Sequence, residues 1–163
     1  MRSALADLGK KASLAQDGKR CEPERLRRGK AFHRHVQAEW EAGEGEGEVV
    51  SEKPVMKPSG RRGRVDVFVT VDRRLVAIAE IKYSDWDAMT ESAARRNVKR
   101  QARQIWDYID SQLALGRDVS PGVIFPKRPE SASRLALVET LFDAEGIPVV
   151  WYEESTEERR SRA

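Results

Sequence analysis

Apolar residues alternate with polar or small ones in two neighbouring segments of the chain, 65–71 and 75–81. A period of two is typical of β-strands, because successive side chains point to opposite faces of a sheet. The charged segment 72–74 separates the two and predicts a β-hairpin whose loop has three residues. The second segment, LVAIAEI, is apolar on both faces, which favours a strand in the middle of a sheet.

Three other segments repeat their apolar residues every three or four positions and predict helices at 22–42, 91–115 and 131–145. Pro23 stands in the opening turn of the first helix, while Thr90 caps the second and Gly116 ends it. The expected inward residues are Leu26, Phe32, His33, Val36 and Trp40 in the first helix, Ala94, Val98, Ala102, Ile105 and Ile109 in the second, and Leu135, Val138, Leu141 and Phe142 in the third.

Short apolar segments predict further strands at 49–55, 122–125 and 147–153, the first at a sheet edge because it contains Pro54. The element order is then α-β-β-β-α-β-α-β. This order predicts an α/β fold, a central mixed sheet of four to five strands flanked by helices. We expect one domain over 21–155, a flexible arm over 1–20 and a charged tail over 156–163.

Composition narrows the possible classes of protein. No apolar segment is long enough to cross a membrane and the first residues lack the apolar centre of a secretory signal, so we expect a cytoplasmic protein with no membrane partner. The single cysteine, Cys21, excludes internal disulfides and a cysteine-based zinc site. His33 and His35 cannot share a helix face, which argues against a zinc pair. We interpret His33 as a hydrogen-bonded core residue rather than a general base.

The net charge of +3 is small, and its distribution is more informative than its size. Basic residues cluster at 19–34, 57–64 and 95–103, whereas acidic residues cluster at 39–48 and in the tail. Arginine suits bidentate contact with phosphate. A run of charges is also typical of a solvated surface. The candidates for nucleic-acid contact are Arg61, Arg62, Arg64, Arg96, Arg100 and Arg103.

Two carboxylates interrupt the apolar pattern of the hairpin: Asp66 in its first strand and Glu80 in its second, with Lys82 two residues later. A three-residue loop places Asp66 opposite Glu80 on one face, whereas a two-residue loop shifts the pairing by one. In the first register the two Cβ atoms lie about 5 Å apart and the like charges repel. A divalent cation such as Mg²⁺ would relieve this repulsion, because carboxylate oxygens are its natural ligands. The alternative is a solvated edge hairpin in which Lys82 bridges the two acids.

The pattern Val65-Asp66 followed by Glu80-Ile81-Lys82 resembles the PD-(D/E)XK nuclease superfamily, which has the restriction-endonuclease-like fold. The element order of residues 22–125 is similar as well, and the visible departure is Val65 in the place of the nominal proline. The resemblance implies hydrolysis of phosphodiester bonds, with DNA favoured over RNA. It also implies that Asp66, Glu80 and the backbone carbonyl of Ile81 hold Mg²⁺, for which Mn²⁺ can substitute, and that Lys82 assists the attacking water.

The resemblance suggests supporting residues on both flanking helices. Glu39 on the first helix is the candidate for a further metal ligand, and its alternative role is a surface residue paired with His35. On the second helix, Gln104 and Tyr108 match a Gln-x-x-x-Tyr pattern of some families with this fold, and Gln101 could serve as well. Such groups would orient the lysine or a phosphate, and the alternative is an ordinary polar border of the helix.

The chain also resembles the nuclease domains of bacterial polymorphic toxins in general style. That likeness implies an acidic immunity protein as partner and export without a secretory signal, whereas a restriction or resolvase role implies a homodimer. Two other classes of function stay open: a catalytically silent nuclease-fold module that binds nucleic acid or a protein, and a structural protein with a polar hairpin. Trp86, just after the motif, is either an anchor of its loop or a platform for stacking a base.

Overall fold

The computed structural model of the protein describes residues 22–43, 45, 47–155, 157–158 and 161. The elements are α1 (Glu24–Ala42), β1 (Glu48–Met56), β2 (Arg62–Thr70), β3 (Leu75–Ile81), α2 (Glu91–Leu113), β4 (Asp118–Phe125), α3 (Ala132–Ala144) and β5 (Val149–Trp151). This order confirms the predicted α-β-β-β-α-β-α-β. The expected arm at 1–20 and part of the expected tail at 156–163 lie outside the described residues.

The five strands form one mixed sheet in the order β1-β2-β3-β4-β5. β1, β2 and β3 are antiparallel neighbours, whereas β4 and β5 run parallel to β3 and are reached through the crossover helices α2 and α3. β3 therefore lies in the middle of the sheet, as its two apolar faces predict. β1 lies at an edge, where Pro54 is tolerated.

Helices cover both faces of this sheet, so the predicted α/β fold class is confirmed. On one face, Val36 of α1 packs into a cluster with Val67, Val69, Ile81 and Ile124. On the other face, α2 and α3 cover a larger cluster that includes Phe68, Ile78, Ile105, Phe125, Phe142 and Trp151. The sheet is thus buried on both sides, which explains why β3 has no polar face along most of its length.

The two helices of the larger cluster form as their sequences predict. Thr90 caps α2 by accepting a hydrogen bond from the Ala93 N–H at 3.2 Å, and Gly116, three residues past the helix end, has a φ of +74°. The buried residues of α2 include its predicted stripe of Ala94, Val98, Ala102, Ile105 and Ile109. Within the described part of the chain, no helix is both long and apolar enough to cross a membrane.

The predicted inward stripe of α1 is wrong at both ends. Leu26 and Trp40 are 51% and 42% exposed, and of the predicted stripe only Val36 is fully buried. The helix has 19 residues and is therefore about 28 Å long. Because sheets are twisted, a straight helix of this length touches the strands over its central turns only. Its half-buried central residues, Phe32 and His33, lie over the hairpin side of the sheet.

The segment after β3 is anchored to the body of the protein by Trp86. This side chain is 2% exposed and its ring meets that of Phe125 edge-on, with centroids 5.2 Å apart. Arg134 of α3 donates hydrogen bonds to the carbonyls of Trp86 and Met89 at 3.1 and 2.8 Å. Trp86 is therefore a loop anchor, and its ring is not accessible for stacking on a base.

Candidate active site

The β2–β3 hairpin has the predicted register. The Val71 and Asp72 N–H groups both donate to the Leu75 carbonyl, at 3.1 and 3.2 Å, so the loop consists of the three residues 72–74. The ladder above this loop runs to the pair Val67–Ala79. One residue further, the same register places Asp66 opposite Glu80, and the three-residue loop is confirmed over the two-residue alternative.

The neighbouring β1–β2 ladder is interrupted at the position of Asp66. The residues on either side are paired, but Glu52 and Asp66 are not, and Glu52 has a φ of +52°, which is uncommon for a residue with a side chain. Val67 packs on the α1 face, whereas Val65, two residues away, packs on the opposite face. The strand therefore rotates about its axis here, and the main-chain groups of Asp66 become available to side chains.

Side chains form hydrogen bonds with the unpaired main-chain groups of Asp66 and connect this residue to Glu80. The Asp66 N–H donates to Glu80 Oε1 at 3.3 Å, and Asp66 Oδ2 accepts from the Ile81 N–H at 2.8 Å. Each carboxylate thus binds the backbone of the other strand. The Asp66 carbonyl accepts from Gln37 Nε2 of α1 at 3.0 Å. These bonds hold the two acidic side chains close together at the interrupted position.

Lys82 is held between the carboxylate pair and α2. Its Nζ lies 2.9 Å from Glu80 Oε2 and donates to Gln104 Oε1 at 3.0 Å, and Gln104 Nε2 in turn donates to the Tyr108 hydroxyl at 3.2 Å. The structure therefore places Gln104 and Tyr108 in one hydrogen-bonded chain with Lys82. Of the two roles that the resemblance suggested, orienting the lysine or a phosphate, this geometry suits the first.

Burial dominates the electrostatics of the site. The Glu80 side chain is only 3% exposed, and this burial raises its pKa to about 7, while the Lys82 ammonium opposes the rise and the nearby Asp66 carboxylate adds to it. The ammonium therefore offsets only part of the cost of burying the Glu80 charge. A divalent cation at this position would lower the cost of keeping both of them ionised.

The donor set at this position fits Mg²⁺. Two carboxylates and the Ile81 carbonyl are hard oxygen donors, and Mg²⁺ in proteins commonly uses one or two carboxylates and keeps several waters. Among the residues that the structure describes, no group of three or more His, Cys, Asp or Glu side chains is arranged to hold an ion. An ion held by these groups would need water to complete its coordination shell.

His33 also belongs to this site, although the sequence interpretation assigned it to the core. Its Nε2 lies 3.4 Å from Asp66 Oδ2 and its Nδ1 lies 3.0 Å from the Gly29 carbonyl. The hydrogen bond to Asp66 raises the pKa of His33, and partial burial opposes that rise. Because both ring nitrogens face oxygen acceptors, the geometry favours the protonated imidazole. The spacing of His33 and Gln37, four residues apart on one helix face, is the sequence signal that could have identified both.

Glu39 does not join these residues. Its Oε1 lies 3.6 Å from His35 Nε2, its Oε2 accepts from the Tyr152 hydroxyl, and its side chain is 55% exposed. It lies six residues after His33, hence about 9 Å further along α1 and on a different face. The pairing with His35 is the alternative that the sequence offered. The structure does not support Glu39 as a metal ligand.

Gln101 is held by partners other than Lys82. Its Nε2 donates to Ser84 Oγ at 3.1 Å and to Asn97 Oδ1 at 3.4 Å, and its side chain is buried. The same Asn97 oxygen accepts from the Arg100 guanidinium. Gln101 therefore supports the residues around the lysine rather than the lysine itself.

The six candidate arginines are all exposed and lie on two segments, the start of β2 and α2. Arg61, Arg62 and Arg64 stand at the start of β2, just before Asp66, whereas Arg96, Arg100 and Arg103 stand on α2. Arg64 lies 3.9 Å from Glu52. Since β2 begins at the end of the sheet where β3 finishes, the arginines of β2 lie at the same end as the carboxylate pair.

Comparison with known proteins finds similarity to solved structures only at a distance. The sequence matches no family model and no curated protein. Among solved structures, the chain is similar to the crystal structure of a repair endonuclease from Pyrococcus abyssi, with 19% sequence identity and a TM-score of 0.40 over 80% of this chain and 47% of that chain. The chain therefore spans about half the length of that structure.

Proposed function

We propose that the protein is a metal-dependent nuclease of the PD-(D/E)XK type that hydrolyses phosphodiester bonds, with DNA as its substrate. In this proposal Asp66, Glu80 and the Ile81 carbonyl hold Mg²⁺, or Mn²⁺ in its place, and Lys82 assists the attacking water. The observation that carries the proposal is the exchange of hydrogen bonds between Asp66 and the backbone of β3 and between Glu80 and the backbone of β2. A hairpin without a site has no need to hold two like charges at one position.

Lys82 contributes a charge whose position is fixed. An ammonium has three donors, and two of them are directed to Glu80 and Gln104. The third is available for the attacking water or for a non-bridging oxygen of the phosphate, where negative charge develops during the reaction. Tyr108 assists indirectly, because it accepts from Gln104 Nε2 and so keeps Gln104 Oε1 directed at the lysine.

The carboxylates and the imidazole complete the site. Mg²⁺, when bound, lowers the pKa of a bound water and neutralises charge on the phosphoryl group. Asp66 and Glu80 are held ready to bind it by the backbone hydrogen bonds of the opposite strand. His33 holds Asp66 from the α1 side. We assign His33 as a positioning residue for this carboxylate.

The proposal is tested by cleavage of duplex DNA, single-stranded DNA and RNA in parallel, in Mg²⁺ and in EDTA. We expect Mg²⁺-dependent cleavage that falls to background in Asp66→Asn and by about 100-fold or more in Lys82→Met. A matched control is Asp118→Asn, because Asp118 is an exposed carboxylate at the opposite end of β3 and β4. Its activity should equal that of the wild type.

Two results would count against the proposal. Cleavage that survives both Asp66→Asn and Lys82→Met would mean that other residues, or a contaminant, cut the substrate. Salt-dependent binding of nucleic acid without cleavage in either Mg²⁺ or Mn²⁺ would instead support the catalytically silent module.

A further inference from the structure

A cleft of about 650 Å³ opens directly beside Lys82. Its walls are the residues that follow β3, the first half of α2 and the start of α1, which contribute Tyr83, Arg96, Arg100 and Arg25. Two further clefts, of about 460 and 400 Å³, share Arg25 and Tyr83 with it. The three together are called the Tyr83 groove below. The groove begins at the candidate catalytic lysine and continues along α1.

The cleft beside Lys82 is cationic. Four of its described lining residues are basic and none is acidic. Arg96 and Arg100 donate to the neutral side chains of Ser92 and Asn97. By contrast, Arg95 on the same helix is paired with Glu91, and Arg28 on α1 is paired with Glu24. Over the described ranges, neither Arg25 nor the two cleft arginines of α2 form a salt bridge. Their charge is therefore available to an anionic ligand.

Tyr83 is the aromatic residue of this groove. It follows Lys82 directly, it is half-buried, and it borders all three clefts. Its ring packs near Phe32, with centroids 6.2 Å apart, and its Cβ lies against Gly29, so its position is fixed from the α1 side. Trp86 is buried and cannot take this role. A fixed aromatic ring beside unpaired arginines is the arrangement that binds an unstacked nucleotide.

We propose that the Tyr83 groove binds a nucleotide adjacent to the scissile phosphate, and that this nucleotide is unpaired. The inference rests on the proposed nuclease function and names its substrate class. Arg25, Arg96 and Arg100 bind the backbone phosphate, and the base stacks on Tyr83. The volume of the cleft lies within the range of about 300–1,000 Å³ that small ligands occupy. The DNA strand therefore leaves the site along α2 and α1, rather than only over the arginines at the start of β2.

Binding of a fluorescent single-stranded DNA oligonucleotide in EDTA tests this inference without cleavage. Arg100→Gln should weaken binding and lower the slope of log K against log salt by about 0.7, the value for one lost phosphate contact on a single strand. Tyr83→Leu should weaken binding by about 5- to 150-fold and leave the slope unchanged, because stacking on an aromatic ring contributes about 1–3 kcal/mol per base. Tyr83→Phe should bind like the wild type.

The matched control is Arg95→Gln, which removes an arginine from the same helix outside this cleft. It should leave affinity and slope nearly unchanged. Arg96→Gln, at an exposed position, gives a second variant that does not disturb the core. Equal affinities for the wild type, Arg100→Gln, Arg96→Gln and Tyr83→Leu would overturn the groove as a binding site, as would failure of the wild type to bind the oligonucleotide.

The Mg²⁺ cleavage assay separates this failure from failure of the proposed function. If the wild type cleaves DNA and the groove variants bind the oligonucleotide normally, the proposed nuclease function stands and only the groove is rejected. Absence of cleavage together with groove-dependent binding would reject the nuclease, and the groove would then belong to a nucleic-acid-binding module.

Discussion

At the scale of single residues, Glu80 has the most demanding environment in the candidate site. Its carboxylate is almost completely buried, with a raised pKa of about 7, and its partners are the Lys82 ammonium and one backbone N–H. A metal ion bound at the proposed site would therefore compete with a proton for this group near neutral pH. Metal affinity should rise with pH over this range, because the carboxylate must lose its proton to become a ligand.

Glu80→Gln should remove a pH-dependent loss of stability. The folded-state pKa lies above the usual value of 4.5, so between about 4.5 and about 7 the folded protein binds more protons than the unfolded chain and its stability falls as pH rises. The free energy of unfolding of the variant relative to the wild type should therefore increase across this window, by at most about 1.4 kcal/mol per pH unit. Urea unfolding in EDTA measures this difference. A difference that does not vary with pH would contradict the raised pKa of Glu80.

At the scale of elements, the site depends on the interruption of the β1–β2 ladder at Asp66. The unpaired position at Glu52 and Asp66 rotates the strand and opens the Asp66 backbone to Glu80 and Gln37. Beyond this point β2 approaches α2 closely at Gly63. A Cβ at this glycine would lie 2.7 Å from both Lys57 Cε and Tyr108 Cε1. The missing side chain thus lets β2 pass beside the ring that supports Gln104.

Gly63→Ala should therefore disturb both stability and activity. The Lys57 side chain can move aside, but the Tyr108 ring is buried, so the added methyl must displace it or the strand at a cost of about 1–3 kcal/mol. Displacement also loosens the Gln104 contact with Lys82, so cleavage should fall further than unfolding alone explains. Thermal unfolding and cleavage rates measure the two effects. Gly122→Ala in β4 is the control, because its nearest neighbour would be 3.9 Å away, and it should cost little.

At the scale of the whole molecule, the site is assembled from both sides of the sheet. α1 supplies His33 and Gln37 from one face, the hairpin supplies the carboxylates and the lysine, and α2 supplies Gln104 from the other face. A ligand held by the carboxylates would therefore connect elements that pack on opposite faces of the sheet. Binding to the folded state alone stabilises the entire fold.

Mg²⁺ or Mn²⁺ should accordingly raise the melting temperature of the wild type. At a concentration about 100 times the dissociation constant the gain is about 2.7 kcal/mol, which corresponds to about 5–10 °C for a chain of this size. The shift should disappear in EDTA and in Asp66→Asn, and should persist in Asp118→Asn. An equal shift in Asp66→Asn would place the ion elsewhere on the protein.

The candidate site was only partly predictable from the chain. Asp66, Glu80 and Lys82 are visible because charged residues in an apolar hairpin violate the strand pattern. Gln104 and Tyr108 were suggested by the family resemblance, because they match a Gln-x-x-x-Tyr pattern. Glu39 was misplaced and His33 was assigned to the core, because both depend on how α1 is rotated over the sheet. With few fully buried residues, that helix has a weak periodic signal.

Local patterns were sufficient to establish the elements and their order, because hydrophobic periodicity acts over a few neighbouring residues. They predicted the hairpin but left two registers open, which the structure decided. Long-range packing settled the break in β2, the contact of His33 with Asp66, and the groove around Tyr83. These features join segments that are far apart in the chain, and their geometry follows from how helices and sheet pack together. The hydrophobic periodicity of one segment carries no information about where another segment packs against it.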